Sequence, residues 1–366
     1  MKNILLFLIF LIPFSFNSYA TIEIDITEGN REPLPIAITN FFHDGNEKIT
    51  NTDLPSKIRG VIQNDLESTG LFNSIDEKAF IQENKSLHLK PRFADWRLIN
   101  SQGLVTGDLK IEDDRLKVEF RLWDTLAEKE IEGLVLITTP DNWRRISHMI
   151  ADKIYERLTG EEGYFDTRIV YVAEEGPKNN RVKKLAIMDQ DGANHKFLTS
   201  GKELVLTPRF YPVRQEITYL SYFKNLPRVY LLNIQTGIQE VVGDFPGMTF
   251  APRFSPDGNK IIMSLAREGN SDIYVMNLNS RVVERLTDSP AIDTSPSYSP
   301  DGKKITFNSD RGGSQQIYVM DSNGRNQKRI SKGSGNYATP VWSPRGDLIA
   351  FTKNFQGQYF IGVMRT

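Results

Sequence analysis

The sequence predicts a small α/β N-terminal domain followed by an all-β propeller. Three observations carry this prediction. Residues 168–366 contain a repeat of 44 residues, residues 21–160 show no trace of it, and each repeat unit alternates short apolar runs with turn motifs. Four short strands in a repeated unit of roughly 40–50 residues are typical of a propeller blade.

Prolines mark the repeat most clearly. Two series recur at intervals of 44 residues, namely Pro208, Pro252, Pro296 and Pro340, and Pro212, Pro256, Pro300 and Pro344. Gly258 and Gly302 each follow an aspartate, which favours hairpin turns because glycine tolerates a positive φ. Each unit is therefore predicted to hold four strands. The alternation along the second strand predicts an inward-facing set, Ile261, Met263, Ile305 and Phe307.

The ends of the repeat differ from its middle. The first unit begins at Arg168 with the counterpart of the second strand of later units, and the last unit stops at Thr366 before its fourth strand. A propeller removes open edges by completing one blade with a strand from the other end of the chain. We therefore expect about five blades, incomplete, in a chain that is truncated at its C-terminus or has exposed edges.

Residues 1–20 have the composition of a cleaved secretory signal. Lys2 precedes an apolar run from Ile4 to Phe16, and Ser18–Ala20 supply small residues for cleavage. The run is too short to cross a bilayer comfortably, and no cysteine is present for lipid attachment. We predict a mature periplasmic protein that begins at Thr21 and has no membrane span.

Residues 21–160 are predicted to form the α/β domain, and residues 161–167 the linker to the propeller. Thr21–Ile26 alternate as a strand or an extended arm. Further expected elements are a strand at Pro35–Phe42, a helix capped by Asp53 and running to Ser68, strands within Leu104–Thr138 with a turn at Asp113–Asp114, and a helix capped by Asp141 and running to Leu158.

Composition and motifs argue against several function classes. The formal net charge is −1 with 25% charged residues, so neither nucleic acid nor an anionic membrane surface is an expected partner. The four histidines are dispersed, and no nucleophile motif occurs. Asp189–Asn194 resembles the start of a calcium loop, but the same turn recurs elsewhere with fewer carboxylates. We predict a hairpin turn there, no enzyme activity, no catalytic residue, no metal and no cofactor.

Several segments resemble the TolB family: GYFDTRIVYV at 163–172, FAPRFSPDG at 250–258 and TPVWSPRGDLIAFTK at 339–353. The resemblance covers essentially all of the chain after residue 20. It implies a six-bladed propeller and a monomeric periplasmic component of the Tol–Pal system, with Pal and TolA as partners. It also implies a part in outer-membrane integrity and cell division.

The resemblance further implies two partner surfaces. The TolA-binding arm would lie within Thr21–Leu34, with contact residues Thr21, Ile22, Glu23, Ile24, Asp25, Ile26, Thr27, Glu28 and Gly29. The Pal-binding face would be formed by loops that precede the proline-containing strands, at Leu206, Thr207, Met248, Thr249, Phe250, Ala251, Asp293, Thr294, Tyr337, Ala338 and Thr339. Met248, Phe250 and Tyr337 are expected to be exposed apolar anchors.

Each surface has an alternative interpretation. The alternation of the arm fits a strand that adds to the edge of a partner's sheet, and it fits a core strand of the N-terminal domain equally well. The apolar residues of the face would instead pack between blades. Two other functions also stay open: a ligand- or glycan-binding propeller, and an accessory propeller of a periplasmic peptidase.

Overall fold

In a computed structural model, the chain is described at Ile22, Ile24 and residues 32–43, 53–83, 90–212, 214–223, 227–243 and 248–366, without the side chains of residues 243 and 248–251. It divides into two compact units, residues 1–167 and 168–366. The predicted signal segment lies outside the described residues. Within the described ranges, no helix has both the length and the apolar character needed to cross a membrane.

A five-stranded sheet of order β2-β1-β3-β4-β5 organises the first unit. Its strands are β1 Leu34–Ile38, β2 Phe72–Ser74, β3 Gly103–Glu112, β4 Arg115–Asp124 and β5 Lys129–Thr138. Strand β1 runs parallel to both β2 and β3, and the remaining pairs are antiparallel. The predicted turn at Asp113 and Asp114 joins β3 to β4, with φ of 48° and 57° at the two residues. The first strand is shorter than the predicted Pro35–Phe42 and ends at Ile38.

Among the described residues, three α-helices accompany this sheet: α1 Leu54–Ser68, α2 Phe93–Leu98 and α3 Trp143–Thr159. In α3 a buried residue recurs every four positions, which gives the helix one apolar face: Ile146, Ile150, Ile154 and Leu158. Helix α3 ends at Thr159, because the C-cap residue Gly160 has a φ of +72° while its amide still donates to the Glu156 carbonyl.

Both predicted helix caps need correction. Asp53 precedes α1, but its carboxylate accepts a bond from the Ser56 hydroxyl at 2.6 Å and not from a backbone amide. Asp141 is not a cap, because residues 140–142 form a short 3₁₀ turn and Asn142 occupies the N-cap position. The 3₁₀ turn moves the start of α3 to Trp143.

The sheet separates two apolar cores. Ile36 and Ile38 belong to the larger core, which includes buried residues of α1 and α3. Ala37 points to the other face and packs with Phe93 and Trp96 of α2. Alternate residues of β1 therefore serve opposite layers, as the period of two in a strand requires.

The second unit consists of five successive sheets. The strands are β6 Arg168–Glu175, β7 Val182–Asp189 and β8 Lys196–Phe197; β9 Val205–Phe210, β10 Glu216–Ser221, β11 Arg228–Asn233 and β12 Gln239–Gly243; β13 Met248–Phe254, β14 Lys260–Arg267, β15 Asn270–Asn277 and β16 Val283–Arg285; β17 Asp293–Tyr298, β18 Lys304–Ser309, β19 Gln316–Asp321 and β20 Lys328–Arg329; and β21 Asn336–Trp342, β22 Leu348–Phe355 and β23 Gln358–Arg365. Each sheet is an antiparallel meander. The predicted propeller of about five blades is confirmed.

The repeat places equivalent residues in equivalent surroundings. The second strands of four blades each bury one isoleucine completely: Ile217, Ile261, Ile305 and Ile349. The predicted inward-facing residues Ile261, Met263, Ile305 and Phe307 are all fully buried, but they are only part of the buried set. Ile262 and Thr306, on the opposite face, are also fully buried. Successive blades pack on both faces of these strands, so the alternation in sequence is weak.

In the second to fifth sheets, one proline lies inside the first strand and does not begin it: Pro208, Pro252, Pro296 and Pro340. The registers of β9, β17 and β21 shift near Pro208, Pro296 and Pro340. The residue before each of these prolines has a positive φ: 48° at Thr207, 55° at Ser295 and 50° at Thr339. A bulge of this kind admits a proline because it leaves one residue outside the ladder of hydrogen bonds.

Candidate partner-binding surfaces

The arm is described at two residues, Ile22 and Ile24, and both are buried within the first unit. The Ile22 amide donates to the Asp124 carboxylate at 3.0 Å, and the Ile24 amide donates to the Leu158 carbonyl at 2.5 Å. Backbone bonds and apolar burial therefore hold this part of the arm to its own domain. The remaining arm residues lie outside the description: Thr21, Glu23, Asp25, Ile26, Thr27, Glu28 and Gly29.

The predicted propeller face lies on strands, and its description as a set of loops is wrong. Leu206 and Thr207 belong to β9, Asp293 and Thr294 begin β17, and residues 337–339 belong to β21. The prediction from sequence assumed that each first strand begins at its proline, which would place these residues in the preceding loop. The strands instead begin before the proline and pass it through a bulge. The backbone of Met248, Thr249, Phe250 and Ala251 likewise forms part of β13, and their side chains lie outside the description.

Asp293, at the beginning of β17, is fully buried and is therefore not exposed to a partner. One of its carboxylate oxygens accepts a bond from Arg311 Nη2 at 2.7 Å. The Arg311 guanidinium also lies over two rings, 5.4 Å from the centroid of Phe307 and 5.0 Å from that of Tyr318. This arrangement fixes the beginning of β17, where the neighbouring Thr294 is half-buried.

Tyr337 is not the exposed anchor that was expected. Its side chain is 5% exposed, and its hydroxyl donates to the Lys332 carbonyl at 2.6 Å. Its ring centroid lies 5.3 Å from that of Phe351. The Tyr337 ring thus packs against the neighbouring strand, and its strand also contacts the fourth sheet. Of the neighbouring candidates, Thr339 is exposed, while Leu206, Thr207 and Ala338 are half-buried.

One repeated feature, a hydroxyl that bonds a neighbouring strand, was not predicted from the sequence. In blades one, three and four a hydroxyl accepts a backbone amide of the neighbouring strand at 2.9 Å. The amides are those of Leu185, Ile273 and Ile317, and the hydroxyls are those of Thr199, Thr287 and Ser331. These residues are spaced by 44 or 88 and directly follow Leu198, Leu286 and Ile330. The second blade has Gly243 at the equivalent position. The spacing alone would have identified these structural residues.

Two further groups are placed by the structure. His148, on α3, is a core residue whose Nδ1 lies 2.6 Å from a carboxylate oxygen of Asp65. Asp189–Asn194 forms a hairpin turn between β7 and β8, with the Gly192 amide donating to the Asp189 carbonyl at 3.0 Å. Both groups therefore have structural roles within their own units.

Two family models match the chain, the TolB amino-terminal domain over residues 22–131 and the TolB beta propeller domain over residues 155–366. The chain belongs to the TolB family. A TolB-type domain pair therefore accounts for both units, the α/β unit with its arm and the propeller with its bulged inner strands.

Curated relatives support this family membership. The Tol-Pal system protein TolB of Pelagibacter ubique (strain HTCC1062) is 65% identical over 252 residues, which are 67% of this chain and 56% of the relative. That of Paramagnetospirillum magneticum (strain ATCC 700264 / AMB-1) is 58% identical over 234 residues, 63% of this chain and 51% of the relative. The chain spans about half the length of these relatives.

A solved structure extends the similarity to the fold of nearly the whole chain. TolB from Acinetobacter baumannii is 30% identical, with a TM-score of 0.81, over 94% of this chain and 83% of that one. The α/β unit and the propeller thus both have counterparts in a TolB crystal structure.

Proposed function

We propose that this chain is a periplasmic, non-catalytic interaction component of the Tol–Pal system that binds TolA and Pal. The observation that carries the proposal is the 65% identity over 252 residues to a Tol-Pal system protein TolB. In this role the chain is a secreted monomer that loses residues 1–20 and contributes to outer-membrane integrity and cell division.

The exposure and the internal bonds of the propeller face support the proposal that it binds a protein. Thr339 is exposed and Thr294 is half-buried, and both lie on the innermost strands of blades that pack closely on one another. The Asp293–Arg311 pair beneath Thr294 reduces the freedom of this region before binding. A surface that is already ordered loses less conformational entropy when it binds.

Binding to the soluble domain of Pal from the same organism tests the face. We expect saturable binding by residues 21–366, and Thr294→Arg should weaken it at least about tenfold by introducing a long charged side chain into the contact. Thr236→Arg is the matched control, because Thr236 is exposed in the turn between β11 and β12. A thermal melt verifies the folding of each variant. Equal affinity of the two variants for Pal would contradict the assignment of the face.

The proposed TolA site is the arm, Thr21–Gly29. The bonds of Ile22 and Ile24 to Asp124 and Leu158 show that part of this segment is already paired within the domain. A partner that takes the arm as an added strand would have to replace these backbone bonds with its own. The apolar contacts of the two isoleucines would be lost at the same time.

Binding to the periplasmic domain of TolA tests the arm. Residues 21–366 should bind, and a chain that begins at Glu32 should not, because it lacks every proposed contact. Thr236→Arg serves again as a folded control with an intact arm. Retention of TolA binding by a folded, armless chain would refute this site and leave the Pal assignment untouched.

A further inference from the structure

The innermost strands of four blades line an open cavity of about 330 Å³ at the end opposite to Thr294. Equivalent positions of the repeat supply its walls, which are Arg209, Phe210, Pro212, Arg253, Phe254, Ser255, Pro256, Ser297, Tyr298, Ser299, Pro300, Trp342, Ser343 and Pro344. These walls include two arginines and neither an aspartate nor a glutamate. The cavity therefore has a formal charge of +2 at neutral pH.

Neither arginine has an acidic partner among the described residues. Arg253 Nε is buried and has no hydrogen-bond acceptor. Arg209 donates from Nη1 to the carbonyl of the adjacent Pro208 at 2.8 Å. Burial first, and then the nearby Arg209 guanidinium, lower the pKa of Arg253 to about 10. Two uncompensated cations thus lie close enough for their charges to interact in a partly buried space, which is costly unless a negative charge joins them.

The nearest acidic turns do not supply that charge. The carboxylates of Asp257 and Asp301 are held by the hydroxyls of Ser255 and Ser299, at 2.5 and 2.6 Å. Each also accepts a backbone amide of its own turn. Both carboxylates are thus engaged by bonds to a serine of the cavity wall and to an amide of their own turn, and neither aspartate is among the residues that line the cavity.

A third hydrogen-bond donor of the cavity also lacks an acceptor. Trp342 Nε1 is buried and has no acceptor in the described part of the chain. The rings of Phe254, Tyr298 and Trp342, from three different blades, supply apolar wall beside the charged groups. Convergent donors among aromatic walls are typical of a small-ligand site.

We propose that Arg209, Arg253 and Trp342 form a binding site for a small oxyanion, either a carboxylate or a phosphate. The planar guanidinium groups offer paired N–H donors that match two oxygens of such a group. The indole N–H supplies one more donor, and the negative charge offsets the repulsion between the arginines.

The proposed oxyanion site is separate from the proposed Pal face. Thr294 and Tyr298 are four residues apart on β17, and a strand rises about 3.3 Å per residue. Their Cα atoms are therefore roughly 13 Å apart along the strand. Loss of Pal binding and loss of oxyanion binding are thus independent outcomes.

Tryptophan fluorescence of residues 21–366 tests the proposal, because Trp342 is the one tryptophan in residues 168–366. The chain is titrated with sodium phosphate or sodium succinate, and with sodium chloride at matched ionic strength. We expect a saturable change with at least one oxyanion and none with chloride. A response to succinate alone assigns a carboxylate, and a response to phosphate alone assigns a phosphate. Trp342→Phe should abolish the fluorescence change.

Arg253→Met is the decisive variant, and Arg325→Met is its matched control because Arg325 is exposed between β19 and β20. We expect Arg253→Met to weaken oxyanion binding at least about tenfold, since it removes charge-assisted bonds. In chloride the same variant should keep or raise Tm, because it removes an uncompensated cation. In saturating oxyanion only the wild type and Arg325→Met should gain Tm. No saturable response in the wild type, or equal affinity of Arg253→Met, would overturn the proposal.

Discussion

The fourth and fifth sheets carry the same repeat, yet they bury equivalent residues very differently. Ile317, on β19, is 0% exposed, and Ile361, 44 residues later on β23, is 89% exposed. Strand β19 pairs with β18 and β20 and contacts β21 of the next sheet. Strand β23 pairs with β22 alone among the described residues. The burial of an apolar residue thus depends on the neighbouring strand and blade as much as on its own pattern.

The fourth and fifth sheets also differ in an aromatic pair between their second and third strands. In the fourth blade, Phe307 and Tyr318 stack with centroids 5.8 Å apart. The equivalent pair in the fifth sheet is Phe351 and Gly362, and a Cβ at Gly362 would lie 2.7 Å from the Phe351 ring. The repeat motif is therefore weaker around Gly362 because the Phe351 ring alone fills the space that two rings occupy in the fourth sheet.

Alanine substitution at the paired isoleucines should give the largest difference between these sheets. Ile317→Ala should lower the free energy of unfolding of the second unit by about 3 kcal/mol, because it leaves a cavity in a closed core. Ile361→Ala should change it by no more than about 0.5 kcal/mol. Urea denaturation followed by circular dichroism measures both. Equal losses would mean that β23 is covered in solution.

The Asp293–Arg311 pair should give the next largest effect. The fifth sheet has Tyr337 and Phe355 at the equivalent positions, so the pair is a feature of the fourth blade alone in this comparison. Arg311→Met should cost about 3 kcal/mol, because it leaves the buried Asp293 carboxylate without its cation.

Asp293→Asn in the Arg311→Met background provides the control for this pair. Removing the unpaired charge should recover part of the lost stability, which urea denaturation will measure. If Arg311→Met is neutral by itself, the carboxylate is solvated and the pair does not stabilise the start of β17.

The serines that precede Pro300 and Pro344 should contribute less to stability than the Asp293–Arg311 pair. Ser299 Oγ donates to Asp301 at 2.6 Å and accepts the Lys304 amide at 2.9 Å. In the fifth sheet the carboxylate has moved along the turn, and Ser343 Oγ donates to Asp347 at 2.9 Å. Ser299 is buried and Ser343 is half-buried.

Ser299→Ala should therefore lower the free energy of unfolding by about 1 kcal/mol, and Ser343→Ala by about half as much. Both values come from urea denaturation against the wild type. A larger loss at Ser343 would show that the Ser–Asp bond matters more than the burial of the serine.

The regular part of the fold follows from the spacing of the sequence, and the candidate sites follow from it only in part. Prolines and isoleucines every 44 residues predict the blades, because each unit must bury the same positions. The bulge before Pro208 was not predictable, since a non-glycine residue with positive φ is rare. That one backbone feature moved the proposed Pal face from loops onto strands.

Long-range pairs were also beyond sequence reasoning. Arg311 pairs with Asp293 across two strands, and Arg253 and Trp342 line one cavity from different blades, so neither combination is marked by local spacing. The two arginines do recur in the repeat as Pro-Arg-Phe, which would have identified them as equivalent. Their lack of acidic partners could be recognised only from the structure.

Acid titration sharpens the comparison between the two turns and should give the smallest effect. The hydroxyl of Ser299, followed by the Lys303 amide, lowers the pKa of Asp301, and the hydroxyl of Ser343 does the same for Asp347. Because both pKa values are lower in the folded chain, the folded state binds fewer protons than the unfolded state. The stabilisation is present above the ordinary pKa of 3.8 and is lost as the pH falls through the lowered values.

Thermal melts between about pH 5 and pH 2 should therefore show a smaller fall in Tm for Ser299→Ala than for the wild type, because the variant has already lost the hydroxyl that holds the Asp301 carboxylate. Ser343→Ala should show the same change through Asp347, which is bonded to a less buried serine. Parallel curves for the wild type and both variants would mean that the serine hydroxyls hold these carboxylates no better than water does. The burial of Ser299 would then account for the whole difference between the two turns.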